Sequence, residues 1–301
     1  NLLRLKQDFL TLEINSGGFK YLYSGFDRDR PEILDHGRIE FETSEWTELF
    51  VSLNQALKEL IGKRMPSFKH LRTYLVPPPE MTVATAIVYP ELDRELPKNH
   101  RQWEIRQTLP GADGEFQTIC TLPRKSDNPV LKSEYCLAIR DSHLARFNEI
   151  LQTRGLVASG MFSVQQLFRQ YANGLPSLFN EGIILLRDPD YIRAMFFQSR
   201  SYPVIKQKPI VAGASAGDFK TGFLNEDLSV YSASSGFTER LPVYILKDNF
   251  DAEQCQKLKD ELGLQLNTID KDDLPQSGEI GFEAEYLTLL LAHREIEKIY
   301  A

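Results

Sequence analysis

The feature that most limits the fold of this chain is a strand-turn-strand pattern that occurs twice. Phe9, Leu10, Leu12 and Ile14 run into the cluster Asn15 to Gly18, and Phe19, Tyr21 and Tyr23 resume beyond it. That spacing is that of a β-hairpin closed by a glycine-containing turn. Past the middle of the chain, Gly182 to Leu186 and Arg193 to Ser199 open a second half in the same way. The repeat is one of pattern and not of residue identity. A chain of 301 residues can build two lobes, each with its own core. The expected division is a first lobe over 1–175, with an inserted subdomain at about 80–155, and a second over 176–301. The loop Asn173 to Pro176 marks the boundary, and the C-terminal helix is expected to pack back on the first lobe.

Between the hairpins the pattern alternates strand and helix. A short third strand is expected at Gly37 to Phe41. The helix after it is capped by Thr43 or Ser44, carries Leu49, Leu53, Leu57 and Leu60 on one face, and ends at Gly62. A strand over Leu71 to Val76 runs into Pro77-Pro78-Pro79, which cannot continue a ladder. Further strands are expected at Met81 to Tyr89, Phe116 to Leu122 and Glu134 to Ile139, with a helix over Asn99 to Thr108. The helix Ser142 to Thr153, capped by Asp141 or Ser142 and closed by Gly155, aligns Leu144, Phe147, Ile150 and Leu151. A short helix at Ser163 to Tyr171 follows, and later come a strand at Pro242 to Leu246 and helices at Ala252 to Leu262 and Phe282 to Tyr300.

A formal charge of −7 argues against a nucleic-acid binder, which needs a concentrated positive surface. The basic residues Lys63, Arg64, Lys69, His70 and Arg72 are mixed with apolar ones and read as solvated surface, with no partner assigned. Cys120, Cys136 and Cys255 are far apart, without a CxxC and without histidine at ligand spacing, so free thiols are expected and no metal. No run approaches the 18 to 20 apolar residues of a membrane span. A cytoplasmic protein is expected, although a start at Asn1 leaves a processed or trimmed chain open.

Several segments carry a resemblance. WEIRQTLP, at Trp103 to Pro110, is similar to the W-E-x-x-Q-x-hydrophobic-P helix of the type IV pilus assembly family PilM. AIRDSHLARFNEILQTRGL resembles that family's strand end, helix and closing Gly-Leu, here Gly155 and Leu156. EINSGGFK resembles its D-I-G-S-S-S-V-K, and VYILKDN with ELGLQL resembles the strand, glycine pair and helix of its second lobe. The resemblance implies a two-lobed α/β protein of the actin-like ATPase superfamily, a duplicated ribonuclease H-like fold. The cytoplasmic domain of the type II secretion protein GspL is a related case.

The departures fall on the nucleotide elements. The first loop retains Ser16 and Lys20 and has Gly17 and Gly18, but places Glu13 where the family has a magnesium-holding Asp, and Asn15 where it has Gly. These five residues, Glu13, Ser16, Gly17, Gly18 and Lys20, form the residual phosphate loop. The second loop, D-I-G-x-G-x-T in the family, reads LLRDPDYIRAMFF here, and Arg187, Pro189 and Tyr191 deny phosphate a close approach to backbone amides. At the third, Lys247, Asp248 and Asn249 replace the glycine pair of the adenine side.

The resemblance therefore implies a scaffold without ATP hydrolysis, a pseudo-ATPase with no cofactor and no catalytic residue; bound ATP and magnesium are disfavoured. The implied partners are a PilN-like inner-membrane protein, whose cytoplasmic tail docks in the first lobe, and the assembly ATPase. The protein would reach the inner membrane face through these partners. The alternatives are an active actin-like ATPase and a filament former. Trp46 and Trp103 are expected in the core or between subdomains. The charged run Glu91 to Glu95 reads as solvated, and the glycine-rich Gly213 to Gly222 as a surface loop.

Overall fold

The computed structural model describes residues 7–27, 30–41, 46–64, 71–90, 98–108, 114–124, 130–174, 181–188, 191–198, 204–209, 242–246, 249–262, 266–269 and 284–300. The chain divides into two compact units. Unit 1 comprises 1–168, 277–280 and 288–301; unit 2 comprises 169–276 and 281–287.

Unit 1 is built on strands β1 (Gln7–Asn15), β2 (Gly18–Asp27), β3 (Arg30–Glu40) and β4 (Arg72–Val76), with β8 (Val157–Met161) as the fifth, in the order β3-β2-β1-β4-β8. The first three pair antiparallel, while β4 runs parallel to β1 and β8 parallel to β4. Unit 2 repeats this scheme with β9 (Glu181–Arg187), β10 (Tyr191–Gln198), β11 (Val204–Pro209), β12 (Val243–Leu246) and β13 (Leu266–Ile269), in the order β11-β10-β9-β12-β13. Again β9, β10 and β11 are antiparallel, and β12 and β13 are parallel. A meander can turn tightly, but a parallel neighbour needs a crossover, and helices supply it. The repeat legible in the sequence is thus a repeat of sheet topology.

Strand β1 is buried on both faces, which is why Phe9 to Ile14 read as a nearly continuous apolar run. Leu10, Leu12 and Ile14 face helices α1 (Leu49–Arg64) and α3 (Asp141–Thr153), meeting Leu53, Leu57 and Leu60 of the first and Phe147, Ile150 and Leu151 of the second. Burying one such side chain contributes about 1.5–3 kcal/mol. The opposite face carries Phe9, Thr11 and Glu13. There Phe9 lies 4.7 Å from the ring of Tyr300, at the end of the C-terminal helix α6 (Leu287–Tyr300). Arg72 Nη1 donates to Tyr300 Oη at 2.7 Å, and the Tyr74 and Tyr300 hydroxyls meet at 2.9 Å.

Between β4 and α3 the chain forms a three-stranded antiparallel sheet of β5 (Thr82–Pro90), β6 (Phe116–Arg124) and β7 (Leu131–Arg140), in the order β5-β7-β6. Helix α2 (Lys98–Thr108) covers one face: its Ile105 packs with Ile87, Phe116, Cys136 and Ala138. The Gln102 carboxamide clamps the start of β6, accepting from Phe116 N at 3.1 Å and donating to Phe116 O.

Several expectations are corrected. The third strand is an eleven-residue edge, not a short one. Helix α3 starts at Asp141 with Arg140 in the cap position and no side-chain cap, so neither Asp141 nor Ser142 caps it. Gly155 does close it in the left-handed region, at φ 73°. Helix α4 (Val164–Gly174) runs through Asn173 and Gly174, and the division between units falls inside it. Trp103 is 54% exposed and not in the core, because its neighbours Gln102 and Ile105 take the inward face of α2. Strands β8, β11 and β13 lacked an apolar alternation by which to recognise them; β8 is Val-Ala-Ser-Gly-Met and almost wholly exposed. The side chain of Trp46, the run Glu91 to Glu95 and the segment Gly213 to Gly222 lie outside the described residues.

Candidate functional site

The segment whose sequence resembles a phosphate loop forms a two-residue hairpin turn in unit 1. Asn15 pairs with Gly18, leaving Ser16 and Gly17 at the tip, and Phe41 N donates to Gly17 O at 2.9 Å, pinning that tip to the end of β3. Glu13 and Lys20 are direct cross-strand partners on the same face of the hairpin. Their side chains are 1% and 3% exposed, and Lys20 Nζ lies 3.8 Å from Glu13 Oε2. The two side chains therefore meet across the hairpin. The glycines also separate in role: a Cβ on Gly17 would meet nothing within 4 Å, whereas one on Gly18 would drive into the carbonyl of Ile39. Gly18 serves the close approach of β3.

In unit 2, β9 and β10 form a tight hairpin in which Asp188 N donates to Tyr191 O at 2.8 Å; Pro189 between them lies outside the described residues. Beneath it Arg193, 1% exposed, donates to Gln207 Oε1 through Nε at 3.1 Å and Nη2 at 3.0 Å, and to Tyr191 Oη at 3.1 Å. The guanidinium sits 4.8 Å from the centre of the Tyr191 ring. Lys247 and Asp248 lie outside the described residues, but Asn249 is well defined by its bonds. Arg187 N donates to its Oδ1 at 2.7 Å, and its Nδ2 donates to Arg187 O at 2.7 Å. Because β12 runs parallel beside β9, the turns after both strands come to the same sheet end, and one carboxamide ties them together. Asn249 was noted in the sequence as a lost glycine, and nothing local marks it as a clamp. The cap that follows is a finding of the structure, although Asp-x-x-Gln is a pattern that could have signalled it: Asp251 Oδ1 accepts from Gln254 N at 2.8 Å and Gln254 Oε1 from Asp251 N at 3.1 Å, a reciprocal capping box for α5 (Ala252–Leu262).

A third feature is an open apolar strand face. Ile87 and Thr85 of β5 are buried, and alternation leaves Ala84, Ala86 and Val88 exposed on the side away from α2. As β5 is an edge of its sheet, this face and its backbone edge lie together.

Among the described residues, no three His, Cys, Asp or Glu side chains gather as a metal site. Cys120, Cys136 and Cys255 are free thiols. Burial pushes Cys120 up to about 12 and also raises Cys255, so both are protonated at neutral pH and poor nucleophiles. No described helix is long and apolar enough to cross a membrane.

A doubled five-stranded sheet of order 3-2-1-4-5, with a small α/β insertion in the first copy, defines a two-lobed actin-like ATPase fold of the duplicated ribonuclease H-like kind. The chain is similar to a chain of the solved PilM-PilN type IV pilus biogenesis complex, with a TM-score of 0.66 and 15% identity over 96% of this chain and 98% of that one. It is also similar to a Bacteroides thetaiotaomicron protein described as having an actin-like ATPase fold and unknown function, with a TM-score of 0.51 and 13% identity over 89% of this chain and 93% of that one. A looser overlap, TM-score 0.49 at 11% identity, covers 98% of this chain and 96% of the cytoplasmic domain of EpsL, an inner-membrane component of the Vibrio cholerae type II secretion system. No protein-family profile matches the sequence, and no curated protein does.

Proposed function

We propose that this protein is a scaffold in an inner-membrane assembly platform of the type IV pilus or type II secretion kind, working through protein recognition and not through ATP hydrolysis. The observation that carries the reading is the overlap, end to end, with a chain of the PilM-PilN complex. The partner in this reading is a PilN-like membrane protein, whose short cytoplasmic tail lies extended against the Ala84, Ala86 and Val88 face of β5. Small side chains there leave room for larger apolar residues of the tail. The assembly ATPase is a second partner, and the protein sits at the cytoplasmic side of the membrane through these contacts.

The pseudo-ATPase part of the reading is supported by loops that satisfy themselves. Lys20 is paired with Glu13 inside the sheet, and Asn249 fills the hydrogen-bonding groups of Arg187. Phosphoryl transfer needs free donors and a metal shell at these loops. Calorimetry tests both halves: Mg-ATP should give no binding heat and no turnover, and the tail peptide of a platform membrane protein encoded beside this chain should bind and be lost in Ala86→Asp. Micromolar Mg-ATP binding with turnover would overturn the scaffold reading.

A further inference from the structure

The outward face of α2 has no part in the proposal above. Its inner face is fixed twice, by Ile105, fully buried, and by the Gln102 clamp on both backbone groups of Phe116. The helix therefore cannot roll to hide Trp103, and the indole stands 54% exposed. Around it lie Arg106 and Gln107, both exposed, and His100, whose ring is 5.9 Å from the indole and whose Nε2 is 3.4 Å from Glu104 Oε1. In sequence the helix holds Lys98, Arg101 and Arg106 against the single acid Glu104, in a chain whose net charge is −7. Among the described residues, the exposed indole has Arg106 beside it on a helix that is net basic in sequence, an amphipathic ring next to positive charge. It matches the chemistry of a membrane interface, where an amphipathic ring enters the headgroup layer and Lys and Arg are drawn to anionic lipid.

We infer that the outer face of α2 is a contact for an anionic bilayer surface, with Trp103 as the inserted ring and Arg106 as the headgroup partner. This contact lies on the other side of the small sheet from Ala84, Ala86 and Val88, so it stands or falls independently of tail docking.

The test is co-sedimentation of the full chain with vesicles of phosphatidylglycerol and phosphatidylethanolamine, and with phosphatidylcholine vesicles of the same size. Binding to the anionic vesicles is expected, weakened by salt and accompanied by a blue shift of indole emission. Arg106→Glu should lower the partition at least about five-fold, since near a charged surface each basic residue is worth roughly a five-fold factor, and Trp103→Ala should lower it measurably by removing the interfacial ring. Trp103→Phe should recover part of the loss. Both positions are exposed, so an unchanged melting temperature certifies the fold. The inference is overturned if the protein stays in the supernatant at millimolar anionic lipid, if Trp103→Ala binds as the parent does, or if phosphatidylcholine binds equally well. Indole quenching by a glutamate-rich peptide with no response to vesicles would also overturn it, assigning α2 to an acidic protein partner.

Discussion

Replacing Asn249 by alanine removes two hydrogen bonds of 2.7 Å that together satisfy both backbone groups of Arg187. Each neutral bond contributes about 1 kcal/mol net, and a backbone group left without a partner costs about 1–3 kcal/mol when water cannot reach it. Asn249 and Arg187 are half-buried, so water compensates in part, and a loss of about 2 kcal/mol is expected. Hydrogen exchange at the Arg187 amide reads this locally: about 2 kcal/mol is roughly a thirty-fold faster exchange if opening is local. Urea unfolding followed by a unit 2 probe reads it globally. Asn249→Asp sharpens the test, because a carboxylate still accepts from Arg187 N but sets a second oxygen against Arg187 O. The new carboxyl should have a raised pKa in the folded state. Its proton restores the donor, so the variant gains stability as pH falls through its folded pKa toward the unfolded value of about 3.9, opposite to most acid-sensitive proteins. If Asn249→Ala exchanges at Arg187 like the parent and unfolds at the same urea concentration, the clamp is an incidental contact and the account of a self-satisfied loop fails.

Other outcomes follow from the same geometry. Lys20→Ala leaves Glu13 buried without its ammonium and should cost about 3 kcal/mol in denaturant unfolding, whereas the double change Glu13→Leu with Lys20→Met should cost far less. Gly18→Ala should destabilise strongly by collision with Ile39 O, while Gly17→Ala, with open space around it, should be nearly neutral; equal effects would refute the separation of roles. Burial lowers His293 to about 4, so it is neutral in the folded chain. Stability tied to it is complete above the unfolded value of 6.5 and is lost as pH falls from there to about 4, an upper limit of about 3 kcal/mol that His293→Phe should remove from the urea midpoint's pH dependence. Tyr300→Phe deletes the hydroxyl shared with Arg72 and Tyr74, and should cost about 1–2 kcal/mol and speed exchange at the end of α6.

The sequence by itself determined what local chemistry controls. The hairpin at Asn15 to Gly18, the stripe from Leu49 to Leu60, the proline stop after Val76 and the left-handed Gly155 each depend on a few neighbouring residues, and each is where the pattern placed it. The duplication was legible too, since both copies must bury a central strand on both faces and so carry two apolar hairpins. Tertiary structure decided whatever depends on partners distant in the chain. Strand β8 pairs by backbone alone and advertises nothing in its side chains. Trp103 faces outward because Gln102 and Ile105 claim the sheet. The same holds for the candidate loops: the register of the hairpin sets Glu13 and Lys20 side by side, and parallel pairing brings Asn249 to Arg187, 62 residues away. Composition cannot report such meetings, because a side chain's role is set by the group it ends beside, and only the packed sheets bring those groups together.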